Sequence, residues 1–215
     1  ILKAICSTKL RDMELHFFGE LDIANLREVF AIMASYPAWK QSMRSIILET
    51  GACSMTVDDA RGLLTFSHLR HLELNDTGLV PDDHLLDDMA KAWPMLEKLR
   101  ITNWRIPGKA TLNGLVPFSK HCPHIADLRL RLDAREAPMP ANTADASRGE
   151  SREGERTVVW MYVQEVSEIN DPAGVAAFLL NLFPRIALYI PKIYANPQGE
   201  FFWKRVVKII QETRR

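Results

Sequence analysis

The sequence predicts an α/β chain built as a repeat solenoid, with a parallel sheet on its concave side and helices on its convex side. Three observations predict it. Five segments, Leu10 to Phe17 (LRDMELHF), Met43 to Glu49 (MRSIILE), Leu69 to Asn75 (LRHLELN), Leu96 to Thr102 (LEKLRIT) and Ile125 to Arg131 (IADLRLR), fit apolar-x-x-apolar-x-apolar, with starts 33, 26, 27 and 29 residues apart. Each segment after the first is approached by a stretch with helical spacing of apolar residues. Helix start and stop signals recur at the same period. One strand and one helix of this length cannot bury both faces alone, so copies must stack to share a core.

The predicted helices run from Ile23 to Ala34, Val57 to Leu64, His84 to Trp93 and Leu112 to His121. Asp22, Thr56, Pro81-Asp82-Asp83 and Asn170-Asp171-Pro172 mark helix starts, being residue types that cap or open a helix and suit the positive end of its dipole. Tyr36-Pro37, Trp93-Pro94, Cys122-Pro123 and Phe183-Pro184 place a proline just after a helix, where it blocks continuation. Residues 135 to 156 hold prolines, small polar residues and charges with Met139 as the one large apolar residue, which predicts a disordered loop. Beyond it come a strand from Thr157 to Val166, a helix from Ala173 to Leu182 and a strand from Ile186 to Ile190. An amphipathic helix over 201 to 213, with Trp203, Val206, Val207 and Ile210 on one face, closes the series as a C-terminal cap. The whole of 1 to 215 reads as a single irregular domain.

The apolar pattern LxxLxL resembles that of the leucine-rich repeat family, with a departure. The family's asparagine or cysteine, three residues after the last apolar position of the strand, is Phe18, Gly51, Thr77, Trp104 and Asp133 here, so the regular asparagine ladder is not expected. RATL-like helix starts, PFSKHCPHIADLRLRLDA at 117 to 134 and DPAGVAAFLLNLFPRI at 171 to 186 resemble the C-terminal half of fungal, mushroom-type F-box proteins with divergent leucine-rich repeats, over most of 43 to 190. The resemblance implies the substrate-recognition region of a cullin-type ubiquitin-ligase adaptor. Its Skp-type subunit would dock on an F-box preceding Ile1. The chain opens ILKAIC without an initiator methionine, which reads as a piece of a longer protein. The alternatives are a repeat scaffold unrelated to ubiquitin and a nucleic-acid-binding module using the basic half.

Composition bounds these readings. The longest uncharged run, Pro172 to Pro184, is 13 residues where a membrane span needs about 20. Formal charge is zero, but residues 1 to 94 carry 9 basic and 14 acidic groups and residues 95 to 215 carry 18 and 13. A general polyelectrolyte role has no support from that total, although the halves differ in sign. Cys6, Cys53 and Cys122 are odd in number and sit in apolar contexts, which predicts buried thiols in a reducing compartment, cytoplasmic or nuclear.

Neither His68 to His71 nor His121 to His124 has a second ligand set at a zinc spacing. Asp58-Asp59, Asp82-Asp83 and Asp87-Asp88 fall in or near first helical turns, where the dipole favours anions. Motifs for a catalytic serine or cysteine, a phosphate loop or a zinc protease are lacking, so the prediction is a non-enzyme without metal or cofactor. What remains is surface. Period-two geometry sends the residues between the strand leucines to the concave face: Asp12, Glu14, His16; Ser45, Ile47, Glu49; His71, Glu73, Asn75; Lys98, Arg100, Thr102; Asp127, Arg129, Arg131. Of these, Glu14, Glu49, His71, Glu73, Lys98, Arg100, Arg129 and Arg131 are the predicted partner-binding residues. They would form an acidic end and a basic end for a protein substrate, the basic end suiting an acidic or phosphorylated segment.

Overall fold

The computed structural model describes residues 9–20, 22–103, 108–138, 157–163, 169–190 and 197–214. Within them, seven strands form one sheet in chain order: β1 Asp12–Glu20, β2 Ser45–Ala52, β3 His71–Asn75, β4 Lys98–Thr102, β5 Asp127–Leu130, β6 Val159–Val163 and β7 Ile186–Tyr189. Every neighbouring pair is parallel. Parallel neighbours need crossovers, and these carry the helices α1 Ile23–Ser35, α2 Pro37–Ser42, α3 Val57–Arg61, α4 Asp83–Ala92, α5 Val116–His121 and α6 Pro172–Leu182. The last helix, α7 Pro197–Thr213, packs on α6 with Trp203, Val206 and Ile210 buried and Val207 half-buried. None of these helices is long and apolar enough to cross a membrane.

The strands stack in register, so equivalent residues form rows across the sheet. Met13, Ile46, Leu72, Leu99, Leu128, Met161 and Leu188 make one apolar row. Two residues on, Leu15, Leu48, Leu74 and Ile101 align from strand to strand, as do Leu130 and Val163. Both rows join the buried side chains of the helices, including Leu26, Met33, Leu86, Met89, Phe118 and Leu179, in one core. Period-two alternation leaves the other face polar.

The junctions repeat as closely as the rows. The carbonyls of Arg11, Arg44, Arg70 and Glu97 each accept two amides from the next strand's entry, as when Arg44 accepts from Arg70 at 2.8 Å and His71 at 2.9 Å. Ahead of the strands, the carbonyls of Phe66, Trp93, Cys122 and Phe183 accept from the amide three residues on, at Leu69, Leu96, Ile125 and Ile186. The prolines at 94, 123 and 184 fall in these turns, where no donor is required of them. Tyr36-Pro37 differs. Tyr36 caps the end of α1, and Pro37 then opens a helix of its own, the six-residue α2, whose Trp39 is buried and stacks on Tyr36 with ring centroids 4.3 Å apart.

The acidic pairs are absorbed by structure. Asp22, Asp82 and Asp171 cap α1, α4 and α6. Thr56 and Asp59 form a capping box on α3, and Asp59 also receives Arg27 at 2.6 Å. Burial pushes the Asp59 carboxyl up, yet the hydrogen bonds from Arg27 and Thr56 together hold it below its ordinary value. Asp83 accepts the Thr111 amide and hydroxyl, each at 2.7 Å, Asp87 pairs with Lys91 at 2.6 Å, and Arg61 reaches Asp58 at 3.2 Å and Asp88 at 3.7 Å.

Thr50 near the end of β2, Thr77 two residues past β3 and Asn103 just past β4 are buried polar residues. The Thr50 hydroxyl donates to the Asp76 carbonyl at 2.9 Å, and the Thr77 carbonyl accepts from Met55 at 3.0 Å. Cys122 is buried, its thiol pushed up to about 12 by desolvation and donating to the carbonyls of Ala90 and Trp93; Cys53 is half-buried. Cys6, Trp104 and all but the first four residues of the predicted loop over 135 to 156 lie outside the described residues. At its start Arg135 folds back onto Asp133, and Ala137 packs against the core.

Candidate binding face on the polar side of the sheet

Three rows make up the polar face. The first runs Asp12, Ser45, His71, Lys98, Asp127, Trp160, Ala187, and the second Glu14, Ile47, Glu73, Arg100, Arg129, Tyr162, Tyr189. The third is His16, Glu49, Asn75, Thr102, with Arg131 just beyond β5. All eight predicted partner-binding residues are therefore described, seven of them on these rows.

The acidic end is clasped by a histidine. His16 Nε2 lies 2.6 Å from Glu14 Oε1, and its Nδ1 lies 2.9 Å from Glu49 Oε2. Its pKa is raised above 6.5, by the Glu14 hydrogen bond first and then by that to Glu49. His71 contacts Glu97 at 3.3 Å, and Arg70 holds the other oxygen of that carboxylate at 2.7 Å. Glu97 precedes β4 and lies outside the predicted set.

In the middle of the sheet, charges on β3, β4 and β5 pair with one another. Glu73 faces Lys98 at 3.4 Å and Arg100 at 3.6 Å. Arg100 also donates Nε and Nη2 to the two oxygens of Asp127, at 3.2 and 2.5 Å. This fork is the strong form of an ion pair, and it holds the Arg100 guanidinium above its ordinary value against the opposing effect of burial. Glu73, Arg100 and Asp127 keep only 15, 22 and 17 per cent of their side-chain surface exposed, so the network is a packed part of the sheet. Two of the four predicted cations, Lys98 and Arg100, are thus engaged by carboxylates of the same face. Arg131 donates to the Asn103 carbonyl at 3.3 Å.

Arg129 differs. Its guanidinium carbon lies 4.3 Å from the centroid of the Tyr162 ring, with that of Arg100 at 5.8 Å. Its Nε is shielded from solvent and has no hydrogen-bond partner among the described residues. Tyr162 in turn leans on Tyr189, with centroids 5.1 Å apart and planes tilted by 53°. Trp160 and Tyr189 each leave 51 per cent of their surface exposed. Arg129, Tyr162 and Tyr189 are consecutive in one row, and Trp160 and Ala187 stand beside them in the next. Large apolar side chains left open to water on a folded face mark a contact surface when they cluster in this way.

The aromatic step lies outside the predicted set, although its signal is in the sequence. The segment TVVWMYV alternates over 159 to 163, so Val159, Met161 and Val163 are buried while Trp160 and Tyr162 take the polar face.

Set against known protein families and curated proteins, the chain matches no family model and no curated sequence.

Proposed function

We propose that the chain is a protein-binding repeat module, a leucine-rich-repeat-like solenoid whose polar sheet is the concave contact face and whose helices form the convex side. The observation that carries the reading is the exposed pair Trp160 and Tyr189, set in register beside a packed network of charges. Such a surface combines apolar area for burial with charged groups already held in one geometry, which lowers the ordering cost of binding. The role proposed for this surface is recognition of another protein. Engagement of Lys98 and Arg100 by Glu73 and Asp127 weighs against a phosphate-backbone ligand, which needs uncompensated cations.

The resemblance to mushroom-type F-box proteins extends the proposal. The module would select the substrate of a cullin-type ubiquitin ligase in the cytoplasm or nucleus, the Skp-type subunit docking through an F-box upstream of Ile1. Photo-crosslinking tests the face. A benzoylphenylalanine at Ile47 or Ala187 should capture a partner, and one at Lys91 or Lys120 on the helical side should not. Equal capture from both sides overturns the reading of the sheet. Absence of Skp-type and cullin subunits from the purified parent protein overturns the ligase extension alone.

A further inference from the structure

We infer that the partner presents a side-chain carboxylate one to three residues from a flat apolar side chain, the carboxylate meeting Arg129 and the apolar group lying on the step formed by Trp160, Tyr162 and Tyr189. The inference rests on the reading of the sheet as a protein-binding face. It goes further by naming the partner's chemistry.

The charge requirement follows from the pairings. Lys98 and Arg100 face Glu73 and Asp127, so those four groups compensate one another. Arg129 is left with a positive charge, one face covered by Tyr162 and an Nε that no acceptor satisfies among the described residues. Arg129 as a residue is half-buried and has no carboxylate partner among the described residues, and a carboxylate matches the planar fork of a guanidinium with two oxygens. A phosphate is the poorer fit. Its charge of about −1.5 to −2 exceeds that of one guanidinium, and it would stand near Asp127, two residues from Arg129 on the same strand.

The apolar requirement follows from exposure and position. Trp160 and Tyr189 stay half exposed, and burying them against a second flat side chain removes that area from water. Arg129 and Tyr189 stand two strands apart in the same row, which is about 10 Å across the sheet. Two side chains one to three residues apart span that distance.

The test is a random dodecapeptide library displayed on phage and selected against the full chain. Selected peptides should carry Asp or Glu within three residues of an aromatic or aliphatic side chain. A selected peptide is then synthesised with its acid, with the corresponding amide and with phosphoserine at that position, and titrated calorimetrically. The amide form should bind about tenfold more weakly than the acid. Arg129→Gln should erase that difference, while Trp160→Ser should weaken both forms alike. Thermal melts check that the variants fold. Arg129→Lys, which keeps the charge without the planar fork, should lose part of the preference for the acid.

A library that enriches basic motifs or nothing overturns the inference, as does an acid preference that survives Arg129→Gln. Tighter binding of the phosphoserine form overturns the choice of a carboxylate. Self-association on sedimentation that is abolished by Tyr189→Ser would make a second copy of the chain the occupant, and overturns the inference too. Sheet-specific photo-crosslinks without acid coupling sink this chemistry and leave the binding face standing; loss of those crosslinks sinks both.

Discussion

Replacing Leu99 by alanine tests the register on which every statement about the two faces depends. Leu99 is fully buried in β4, aligned with Leu72 on one side and Leu128 on the other, and both of those are fully buried as well. The substitution removes three carbons from the core, worth about 2.4 kcal/mol at ~0.8 kcal/mol each. Collapse around the void is restricted, because the neighbouring leucines are fixed by backbone ladders to strands on either side. The cavity contribution then brings the total to about 3–5 kcal/mol. For a chain of this size that is a fall in melting temperature of about 6–20 °C. The control is its neighbour. Lys98→Ala removes one of the two cations facing Glu73, which keeps Arg100, and should cost clearly less than the loss at Leu99. Differential scanning calorimetry and urea denaturation read both variants, with the urea slope expected to hold. A slip of one residue would exchange the two costs, since it moves every side chain of a strand to the other face. A small loss at Leu99 with a large one at Lys98 would refute the register.

Two further outcomes follow from local geometry. Gly78 has φ +78°, and a Cβ there would lie 2.1 Å from the Cys53 carbonyl oxygen, so Gly78→Ala should cost more than the ~1–2 kcal/mol of a left-handed residue alone and lower the urea midpoint accordingly. The raised pKa of His16 makes the β1–β2 junction pH-dependent: its stabilisation is fully present below about pH 6.5 and is lost as pH rises through the higher folded value. The melting temperature should therefore drop more between about pH 6 and pH 8.5 in the parent chain than in His16→Gln, and a histidine titration by NMR should place His16 above 6.5; equal slopes would break the link.

The elements that could be read from sequence are those set by local chemistry. Period-two alternation and the caps at Asp22, Thr56, Asp82 and Asp171 need only neighbours in the chain, so strand identity, face and helix starts follow from them. Pro37 shows where the same signal has two meanings. Proline both stops a helix and opens one, and the buried Trp39 that decides between them is a tertiary contact. The predicted helices at Val57 to Leu64 and Leu112 to His121 are each part α and part 3-10, the 3-10 turns running Gly62–Thr65 and Leu112–Leu115. Gly114 sits in the second of these with Asp83 and Leu86 so close that a Cβ would meet both within 3 Å. The polar face was legible as a list of residues but not as an electrostatic surface. Which cation meets which anion depends on side chains reaching across from β3 to β4 and from β4 to β5, and no spacing within one strand encodes that.

That dependence decides how the face should be probed by charge reversal. On composition alone, Arg100→Glu and Arg129→Glu look equivalent, two basic residues of the same row turned acidic. The pairings separate them. Arg100→Glu would place a third carboxylate between Glu73 and Asp127, both mostly shielded from water, after removing the guanidinium that joins them. Like charges crowded in that setting destabilise the fold itself, so the variant should melt lower and any loss of partner capture would be a loss of folded protein. Arg129 has no carboxylate partner to abandon among the described residues and touches Tyr162 through its ring face, so its reversal should leave the melting temperature near that of the parent. Partner capture by Arg129→Glu should nevertheless fall, because the carboxylate it is proposed to meet would then face a like charge. Measured side by side, the two reversals should therefore divide: stability lost at Arg100, recognition lost at Arg129. If Arg100→Glu melts like the parent, the Glu73–Arg100–Asp127 network does not hold the sheet together; if Arg129→Glu captures partner undiminished, the free guanidinium plays no part in binding.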